Sequence, residues 1–256
     1  MQGGGRFFFV KTEDGFFLPE DEAFHAVKVL RKQVGDEVLV IDGKGKEFSA
    51  VIVELKGKKK PIARLEIKRE VRREEPRDFV LKVMLPLLKG EKTEFLVEKG
   101  VELGVDSFVV YFSDHTVAKP KESLKRRLEK KIKEAVKQCG RLFLPEVTDI
   151  VELKGFLKGE LKKKGKLWGC YGLPGGVNLF SEEVKSLLKD FKGSISREFF
   201  LVTGPEGGFS REEENLLEQV GFLKVSLGKN ILKAETASFL LMGFFCQLFE
   251  FLENYT

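Results

Sequence analysis

The stretch from residue 199 to residue 237 constrains the fold of this chain most, because it repeats one pattern twice. An apolar run of strand length leads into a glycine turn and then into a helical segment. The first copy is Phe199–Val202 with the turn 204–208, and the second is Leu223–Leu227 with the turn 228–230. Strands that alternate with helices predict an α/β fold, with a mostly parallel sheet covered by helices on both faces.

A third glycine turn occurs earlier in the chain, where Leu167–Tyr171 leads into the turn 172–176. Ligands of parallel sheets bind beyond the carboxyl ends of the strands, and glycine lets a ligand approach bare backbone. An ordinary turn of an α/β domain is the alternative for each turn taken alone, whereas the three together predict a binding site. The chain contains neither of the common nucleotide-loop motifs, G-x-G-x-x-G with a following acid or G-x-x-x-x-G-K-[ST].

Helix boundaries are marked by short local signals. Ser210 with Glu213 forms the S-x-x-E box that begins a helix, and Ser181 precedes the helical segment 182–188. Gly104 follows the helical pattern 91–103 at the position where glycine ends helices.

Residues 1–72 have a different rhythm, with short apolar or alternating runs separated by turns. Such strands predict a small β-barrel, and small barrels are common RNA-binding modules. The charged stretch 72–77 contains a proline and no apolar residue. We therefore expect two domains, 1–72 and 73–256.

Positive charge is concentrated in one predicted helix. The chain carries a net charge of +5, while Lys119–Arg141 contains ten basic and three acidic residues. A concentrated positive helix indicates a polyanionic partner such as nucleic acid. A solvated helix face in a lysine-rich protein is an equally good explanation from charge alone.

The three cysteines and two histidines predict neither a metal site nor a disulfide. Cys139, Cys170 and Cys246 form no C-x-x-C pair, and His25 and His115 are far apart in the sequence. This pattern predicts no bound metal and a reducing, cytoplasmic setting. The apolar run 7–10 is too short for a signal peptide.

The last predicted helix, from Ala234 to about Glu253, is apolar on nearly all sides. Gln247 and Glu250 interrupt its apolar stretch, so we expect no membrane span. A helix without a polar face needs cover from two sides. Burial inside the domain and a homodimer interface are the two explanations, and we favour the homodimer.

Several motifs along the chain resemble one family, the small-subunit ribosomal RNA uridine-N3 methyltransferases of the SPOUT superfamily. The resemblance covers almost the whole length, and the two tandem C-terminal motifs are its most specific part. The motifs are His25–Arg31 with Gly35-Asp36, Lys99–Val105, Glu134-Ala135, Gln138–Arg141 with Pro145, Gly204–Ser210 with Glu213, and Leu227-Gly228 with Ile231–Ala237.

This resemblance implies a PUA-like β-barrel in front of a SPOUT-type, trefoil-knotted parallel sheet domain. It also implies a homodimer, S-adenosylmethionine (SAM) as methyl donor, and uracil N3 of 16S ribosomal RNA in the small subunit as acceptor. The family usually has arginine where this chain has Lys233, and lysine lacks the planar fork needed for a bidentate contact.

The glycine turns and the resemblance together define the expected site. For removal of the uracil N3 proton, Glu206 and Glu235 are candidate bases, and Lys233 is a candidate cation beside the uracil oxygens. The expected SAM-binding residues are Leu173, Val202, Thr203, Gly204, Glu206, Gly207, Gly208, Leu227, Gly228, Ile231, Leu232 and Thr236. Besides the basic helix, the expected RNA-binding residues are Arg6, His25, Arg31, Lys89, Lys99 and Arg141.

Two other functions are compatible with the same residues. One is a knotted-class RNA methyltransferase with a different base specificity. The other is a non-enzymatic RNA-binding or ribosome-assembly protein, which the intact glycine turns disfavour.

Overall fold

A computed structural model describes residues 5–57 and 59–254 and divides the chain into two compact units. The first unit comprises Met1–Pro76 and Val136–Leu144, and the second comprises Arg77–Ala135 and Pro145–Thr256. The first unit thus extends beyond the predicted boundary at residue 72. It also includes a segment, 136–144, that we had assigned to the second domain.

Hydrogen bonds within the first unit explain why the segment 136–144 belongs to it. The Arg6 guanidinium donates to the carbonyl oxygen of Lys137 at 3.2 Å, and Arg72 donates to that of Gly140. The backbone N–H of Gly45 donates to the carbonyl oxygen of Leu142 at 3.2 Å. These contacts join residues far apart in the sequence, which local patterns do not reveal.

Before residue 77, the described part of the first unit contains six strands and one short helix. The elements are β1 (Arg6–Phe8), β2 (Val10–Thr12), β3 (Gly15–Leu18), α1 (Glu20–Phe24), a π-helical turn (His25–Val29), β4 (Glu37–Ile41), β5 (Lys46–Lys56) and β6 (Ile62–Arg73). They form one sheet in the order β1-β4-β5-β6-β3-β2. Three register shifts between β5 and β6 bend this sheet.

The bent sheet and α1 share one apolar core. Phe7, Ala23, Val40 and Ile52 are fully buried in it. In the described residues the terminal strands β1 and β2 do not pair with each other, so the predicted barrel is a curled sheet whose edges stay open.

The rest of the described chain alternates strands with helices. The elements are β7 (Val80–Pro86), α2 (Lys92–Leu103), β8 (Ser107–Phe112), α3 (Ser123–Cys139), β9 (Glu146–Val147), β10 (Val151–Glu152), α4 (Leu153–Lys164), β11 (Gly169–Asn178), α5 (Glu182–Gly193), β12 (Glu198–Thr203), α6 (Arg211–Gln219), β13 (Phe222–Ser226) and α7 (Ala234–Asn254). The sheet order is β10-β8-β7-β12-β11-β13, with β9 beside β8, and every pairing is parallel. The predicted parallel sheet is confirmed.

Strand β12 lies inside the sheet and is covered on both faces, which explains its continuous apolar sequence. On one face, the Phe199 ring packs against Phe245 and Phe249 of α7, with centroids 5.6 and 5.1 Å apart. On the other face, Phe200 stacks on Phe222 of β13 at 5.7 Å. Alternate side chains of β12 therefore pack on opposite faces of the sheet.

The predicted helix signals are confirmed. Ser210 and Glu213 form a complete capping box at the start of α6, Ser181 accepts the Val184 N–H at the start of α5, and Gly104 ends α2 with φ 104°.

Helix α7 packs on β12, β7, β11 and α2. Leu241, Met242 and Phe245 of this helix are buried, whereas Phe239 and Leu240 are exposed. Among the described helices, α7 alone has the length and apolar composition of a membrane span. One face of α7 is buried in the core of the second unit. Core helices of soluble domains have the same length and composition.

Candidate active site

Segments at the carboxyl ends of β12 and β13 and a bulge in the neighbouring β11 enclose a cavity of about 670 Å³ in the second unit. Its volume lies within the range of roughly 300–1,000 Å³ that is usual for small-molecule sites. Segments that follow β12 and β13, a bulge in β11 and the first residue of α2 form its walls. The lining residues are Lys92, Gly172, Leu173, Pro174, Gly204, Pro205, Glu206, Gly207, Gly208, Leu227, Gly228, Asn230, Ile231, Leu232, Lys233, Ala234, Glu235 and Ala237.

The glycine cluster 172–176 is not the turn we predicted but a bulge inside β11. Gly172 and Val177 both pair with Val225 of β13, so the residues between them are extruded from the ladder. A Cβ on Gly176 would lie 2.6 Å from the Val225 carbonyl carbon, so only glycine fits against the neighbouring strand there. The bulge directs Leu173 and Pro174 into the cavity wall.

Two glycines expose backbone to open space at this site. Gly208 has φ +72° and Gly228 has φ +127°, and a Cβ added to either would meet no atom within 4 Å. Both dihedrals favour glycine. The turns thus leave room for a ligand to approach the main chain.

The loop after β8 supports the turn 204–208. The His115 Nδ1 lies 3.1 Å from the carbonyl oxygen of Gly207. A Cβ on Gly207 would lie 2.8 Å from the Cβ of His115, so the two segments are in close contact.

Glu213 joins the same loop to the start of α6. This side chain is completely buried, and its two oxygens accept the backbone N–H groups of Asp114 at 3.0 Å and of Ser210 at 2.8 Å. Asp114 in turn accepts hydrogen bonds from the Ser210 hydroxyl at 2.7 Å and from Lys154. A polar network around the buried Glu213 therefore links the loop after β8 to Ser210, next to the turn 204–208.

Charged side chains meet at one end of the cavity. The Lys92 Nζ lies 3.2 Å from the Glu235 Oε1 and 3.9 Å from the Glu206 Oε1. The Glu235 carboxylate accepts its own backbone N–H, and this bond together with Lys92 and Lys233 holds its pKa below the usual range. Its other oxygen, Oε2, is buried without a hydrogen-bond partner among the described residues.

The structure brings most of the predicted site together. All three catalytic candidates, Glu206, Lys233 and Glu235, line the cavity. The predicted SAM-binding residues that also line it are Leu173, Gly204, Glu206, Gly207, Gly208, Leu227, Gly228, Ile231 and Leu232.

Three predicted SAM-binding residues lie outside the cavity wall. Val202 and Thr203 are buried in β12, where the Thr203 hydroxyl is 2.5 Å from that of Ser238 and its carbonyl oxygen accepts the Tyr111 hydroxyl. Thr236 is exposed on the first turn of α7 and does not line the cavity. Contact of these three residues with SAM stays a prediction.

Sequence reasoning did not propose Lys92, which also lines the cavity. Pro174 and Asn230, which lie in the predicted turns 172–176 and 228–230, line it as well. Lys92 is the first residue of α2, the helix that follows β7. Since β7 is parallel to β12, its carboxyl end lies at the same edge of the sheet. That position was the available signal for Lys92.

Two of the predicted RNA-binding residues make internal ion pairs. The Arg6 guanidinium bonds to the Glu47 carboxylate at 2.6 Å. Lys99 pairs with Glu98 at 3.0 Å and Glu102 at 2.8 Å on its own helix.

The remaining predicted RNA-binding residues are more open to solvent. His25, Arg31 and Lys89 are exposed, and Arg141 is half-buried. Arg31 has φ 57°, a left-handed conformation that is uncommon outside glycine. This strained residue follows the π-helical turn, and both features recur at functional sites.

Part of the basic helix α3 is paired with acids. Arg127 lies 2.9 Å from Glu94 and Lys131 lies 3.2 Å from Glu98. Acidic residues of α2 thus partly compensate the positive charge of α3. Within the described ranges, the side chains form no cluster of His, Cys, Asp and Glu suited to a metal ion.

Comparison with known proteins identifies two family domains. The RNA methyltransferase domain family matches residues 74–245, and the RNA methyltransferase PUA domain family matches residues 18–66. Among solved structures, one from Neisseria gonorrhoeae, a ribosomal RNA small subunit methyltransferase E bound to S-adenosyl methionine, has the same fold. The TM-score is 0.76 at 24% identity, over 96% of this chain and 98% of that one. A predicted RNA methyltransferase from Thermotoga maritima gives a TM-score of 0.68 at 26% identity, over 96% and 99% of the two chains.

Curated relatives agree with the domain families. Ribosomal RNA small subunit methyltransferase E of Bacillus subtilis is 32% identical over 230 residues, which cover 87% of this chain and 86% of that protein. The protein of the same name from Synechocystis is 30% identical over 211 residues, which cover 82% of this chain and 65% of that protein. On these matches, the chain belongs to the family of RNA methyltransferases that includes ribosomal RNA small subunit methyltransferase E.

Proposed function

We propose that this protein transfers a methyl group from SAM to N3 of a uracil in 16S ribosomal RNA of the small ribosomal subunit. The observation that carries the proposal is the cavity itself. It combines open backbone at Gly208 and Gly228, after β12 and β13, with the carboxylates of Glu206 and Glu235 and with Lys92 and Lys233. The family and the names of its relatives support the same reaction.

SAM fits the backbone part of the cavity. Gly208 and Gly228 leave open space where other residues would place a Cβ, while Leu173, Leu227 and Leu232 supply apolar wall. We assign the adenosine portion to this wall, as is usual for pockets with apolar sides and few polar groups. The Neisseria relative of the same fold was crystallised with SAM, which supports the assignment. When bound, SAM supplies a methyl group on a positively charged sulfur.

The tandem arrangement of the C-terminal motifs supports a SPOUT-type trefoil knot. The chain leaves β12 between β7 and β11, pairs β13 with the far side of β11, and returns as α7 onto β7, β11 and β12. A crystal structure traced through residues 199–245 tests whether α7 passes through the preceding loop. A path around that loop would refute the knot.

A homodimer formed through α7 is part of the proposal. Phe239 and Leu240 on α7 are exposed, as are Phe180 at 77% and Ile231 at 91%. Covering exposed apolar side chains with a second copy of the chain is a usual solution. Sedimentation of the variant carrying Phe239→Glu and Leu240→Glu should show a monomer where the wild type is a dimer. A wild-type monomer would refute this arrangement.

RNA contact is assigned to basic residues, with His25, Arg31 and Lys89 as the exposed candidates. Phosphate contacts release counterions, so affinity should fall steeply as salt rises. Arg31→Ala should lower both affinity and salt slope. A salt-independent affinity would contradict this assignment.

A cytoplasmic location, without membrane or metal, completes the proposal because ribosomal RNA is its substrate.

The decisive experiment supplies isotope-labelled SAM and small ribosomal subunits that lack the modification. Nucleoside mass spectrometry should then detect 3-methyluridine in 16S rRNA. A label on another nucleoside would favour a methyltransferase of different base specificity. RNA binding without any label transfer would favour a non-enzymatic assembly protein.

A further inference from the structure

Resting on the proposed function, we propose that Lys92, Glu235 and Lys233 together recognise the pairing edge of the target uracil. Glu235 accepts the N3 proton, and the two lysines donate hydrogen bonds to the flanking carbonyl oxygens. Lys92 thereby becomes a catalytic and specificity-determining residue, a role that no sequence motif indicated.

The position of Lys92 supports this role. Its Nζ lies 3.2 Å from the Glu235 Oε1 and 3.9 Å from the Glu206 Oε1, and the side chain lines the cavity. An ammonium group has three donors, and the contact with Glu235 uses one. A nucleobase that enters beside Glu235 therefore meets the Lys92 ammonium group, whose orientation Glu235 and Glu206 already restrict.

The buried Oε2 of Glu235 supplies the acceptor. It has no hydrogen-bond partner among the described residues, although Oε1 contacts Lys92. A buried acceptor without a partner is costly, and rotation of the carboxylate toward the cavity that Glu235 lines would let a ligand donor satisfy this oxygen. The lowered pKa of Glu235 keeps this carboxyl group ionised and ready to accept a hydrogen bond.

The kinds of groups at this end of the cavity match uracil. Enzymes that modify a base take it out of the stack and bind its pairing edge. On uracil this edge presents an acceptor, the N3–H donor and a second acceptor. Glu235 offers one acceptor, and Lys92 and Lys233 offer two donors. Cytosine has no N3 proton and presents an amino group at one side, so it would face a carboxylate without a donor and a lysine without an acceptor.

The reaction step is balanced with these residues. The N3 proton moves to the Glu235 carboxylate, and the N3 electron pair forms a bond to the methyl carbon. The carbon–sulfur bond breaks at the same time, and its electron pair stays on sulfur, which becomes neutral. Lys92 and Lys233 stabilise the negative charge that develops on the uracil oxygens while the proton leaves.

The test separates SAM binding from turnover. Lys92→Ala should bind SAM with wild-type affinity in calorimetry and lower kcat on small subunits about 100-fold. Lys92→Arg, which keeps the cation, should recover most of that loss. Glu235→Gln should lower kcat about 100- to 10,000-fold. Lys185→Ala removes an exposed lysine on α5 that pairs with Glu182, and it should match the wild type.

A pH series distinguishes a base from a structural residue. Glu235 faces Lys92, Glu206 and Lys233, and without its carboxylate the N3 proton must leave to solvent. The residual rate of Glu235→Gln should therefore rise about tenfold per pH unit through the mildly alkaline range, more steeply than that of the wild type.

Three results would overturn the assignment. One is wild-type kcat in Lys92→Ala and Glu235→Gln, and another is a loss of SAM affinity that accounts for their whole defect. In both cases the wild type still makes 3-methyluridine and the proposed function stands. The third is a wild-type protein that binds SAM but makes no 3-methyluridine, which refutes the proposed function and this assignment with it.

Discussion

Replacing Glu213 with glutamine tests whether a buried carboxylate holds the turn 204–208 in place. Both oxygens of Glu213 accept backbone N–H groups, from Asp114 at 3.0 Å and from Ser210 at 2.8 Å. Glutamine keeps one acceptor and places an NH2 group against the other N–H. A hydrogen bond to a charged group contributes about 1.5–3 kcal/mol. Since one bond is lost and the other loses its charge, we expect a loss of roughly 2–3 kcal/mol in the free energy of unfolding.

Urea denaturation followed by tryptophan fluorescence measures this loss. The chain has a single tryptophan, Trp168, which lies in the second unit and reports on that unit alone. With an m value of about 1–3 kcal/mol/M, the midpoint should fall by about 1 M urea. Glu212→Gln is the matched control, because Glu212 is exposed and only pairs with Lys154 at 3.2 Å, which predicts a change of at most about 1 kcal/mol. Equal midpoints for the two variants would refute the reasoning.

Three further predictions concern single residues. Gly228→Ala should lose about 1–3 kcal/mol and weaken SAM binding in calorimetry, because φ +127° strains any other residue; undiminished binding would contradict this. Gly159 lies inside α4, and a Cβ added to it would meet no atom within 4 Å. Gly159→Ala should therefore raise the free energy of unfolding by about 0.5–1 kcal/mol, and a lower urea midpoint would contradict the helix assignment. Burial raises the pKa of Glu22 despite its bond to Lys137, so the folded unit binds this proton more tightly than the unfolded chain. The free energy of unfolding of the first unit should then fall as pH rises above about 4.5. Hydrogen exchange of the α1 amides measures this fall, and Glu22→Gln should remove the pH dependence.

Local signals in the sequence were enough to predict the parallel sheet and much of the cavity wall. The capping box at Ser210 and the glycines at 204–208 and 228 each act over a few residues, so their pattern is visible without tertiary structure. The bulge in β11 was not predictable in this way. Its register depends on how Gly172 and Val177 share Val225 of β13, and no rule of local sequence specifies such a pairing.

Charged residues show the same limit. The sequence around Arg6 is typical of an exposed cation beside a strand. In the structure, Arg6 pairs with Glu47 and donates a hydrogen bond to the carbonyl oxygen of Lys137. The sequence around Lys92 is typical of an ordinary helix start, whereas in the structure Lys92 forms an ion pair with Glu235. In each case the partner is distant along the chain, and only the fold decides whether a lysine or arginine is free for a ligand.

The lysine at position 233 and the role assigned to Lys92 are linked. Arginine, the usual residue of the family at position 233, has a planar fork that can donate two hydrogen bonds in fixed directions. Lysine presents one compact charge, so it can approach one uracil oxygen closely but does not align a second. A site with Lys233 therefore needs a second cation near Glu235, and the Lys92 Nζ lies 3.2 Å from the Glu235 Oε1. Lysine at position 233 is thus compatible with uracil recognition because Lys92, the first residue of α2, supplies the second donor.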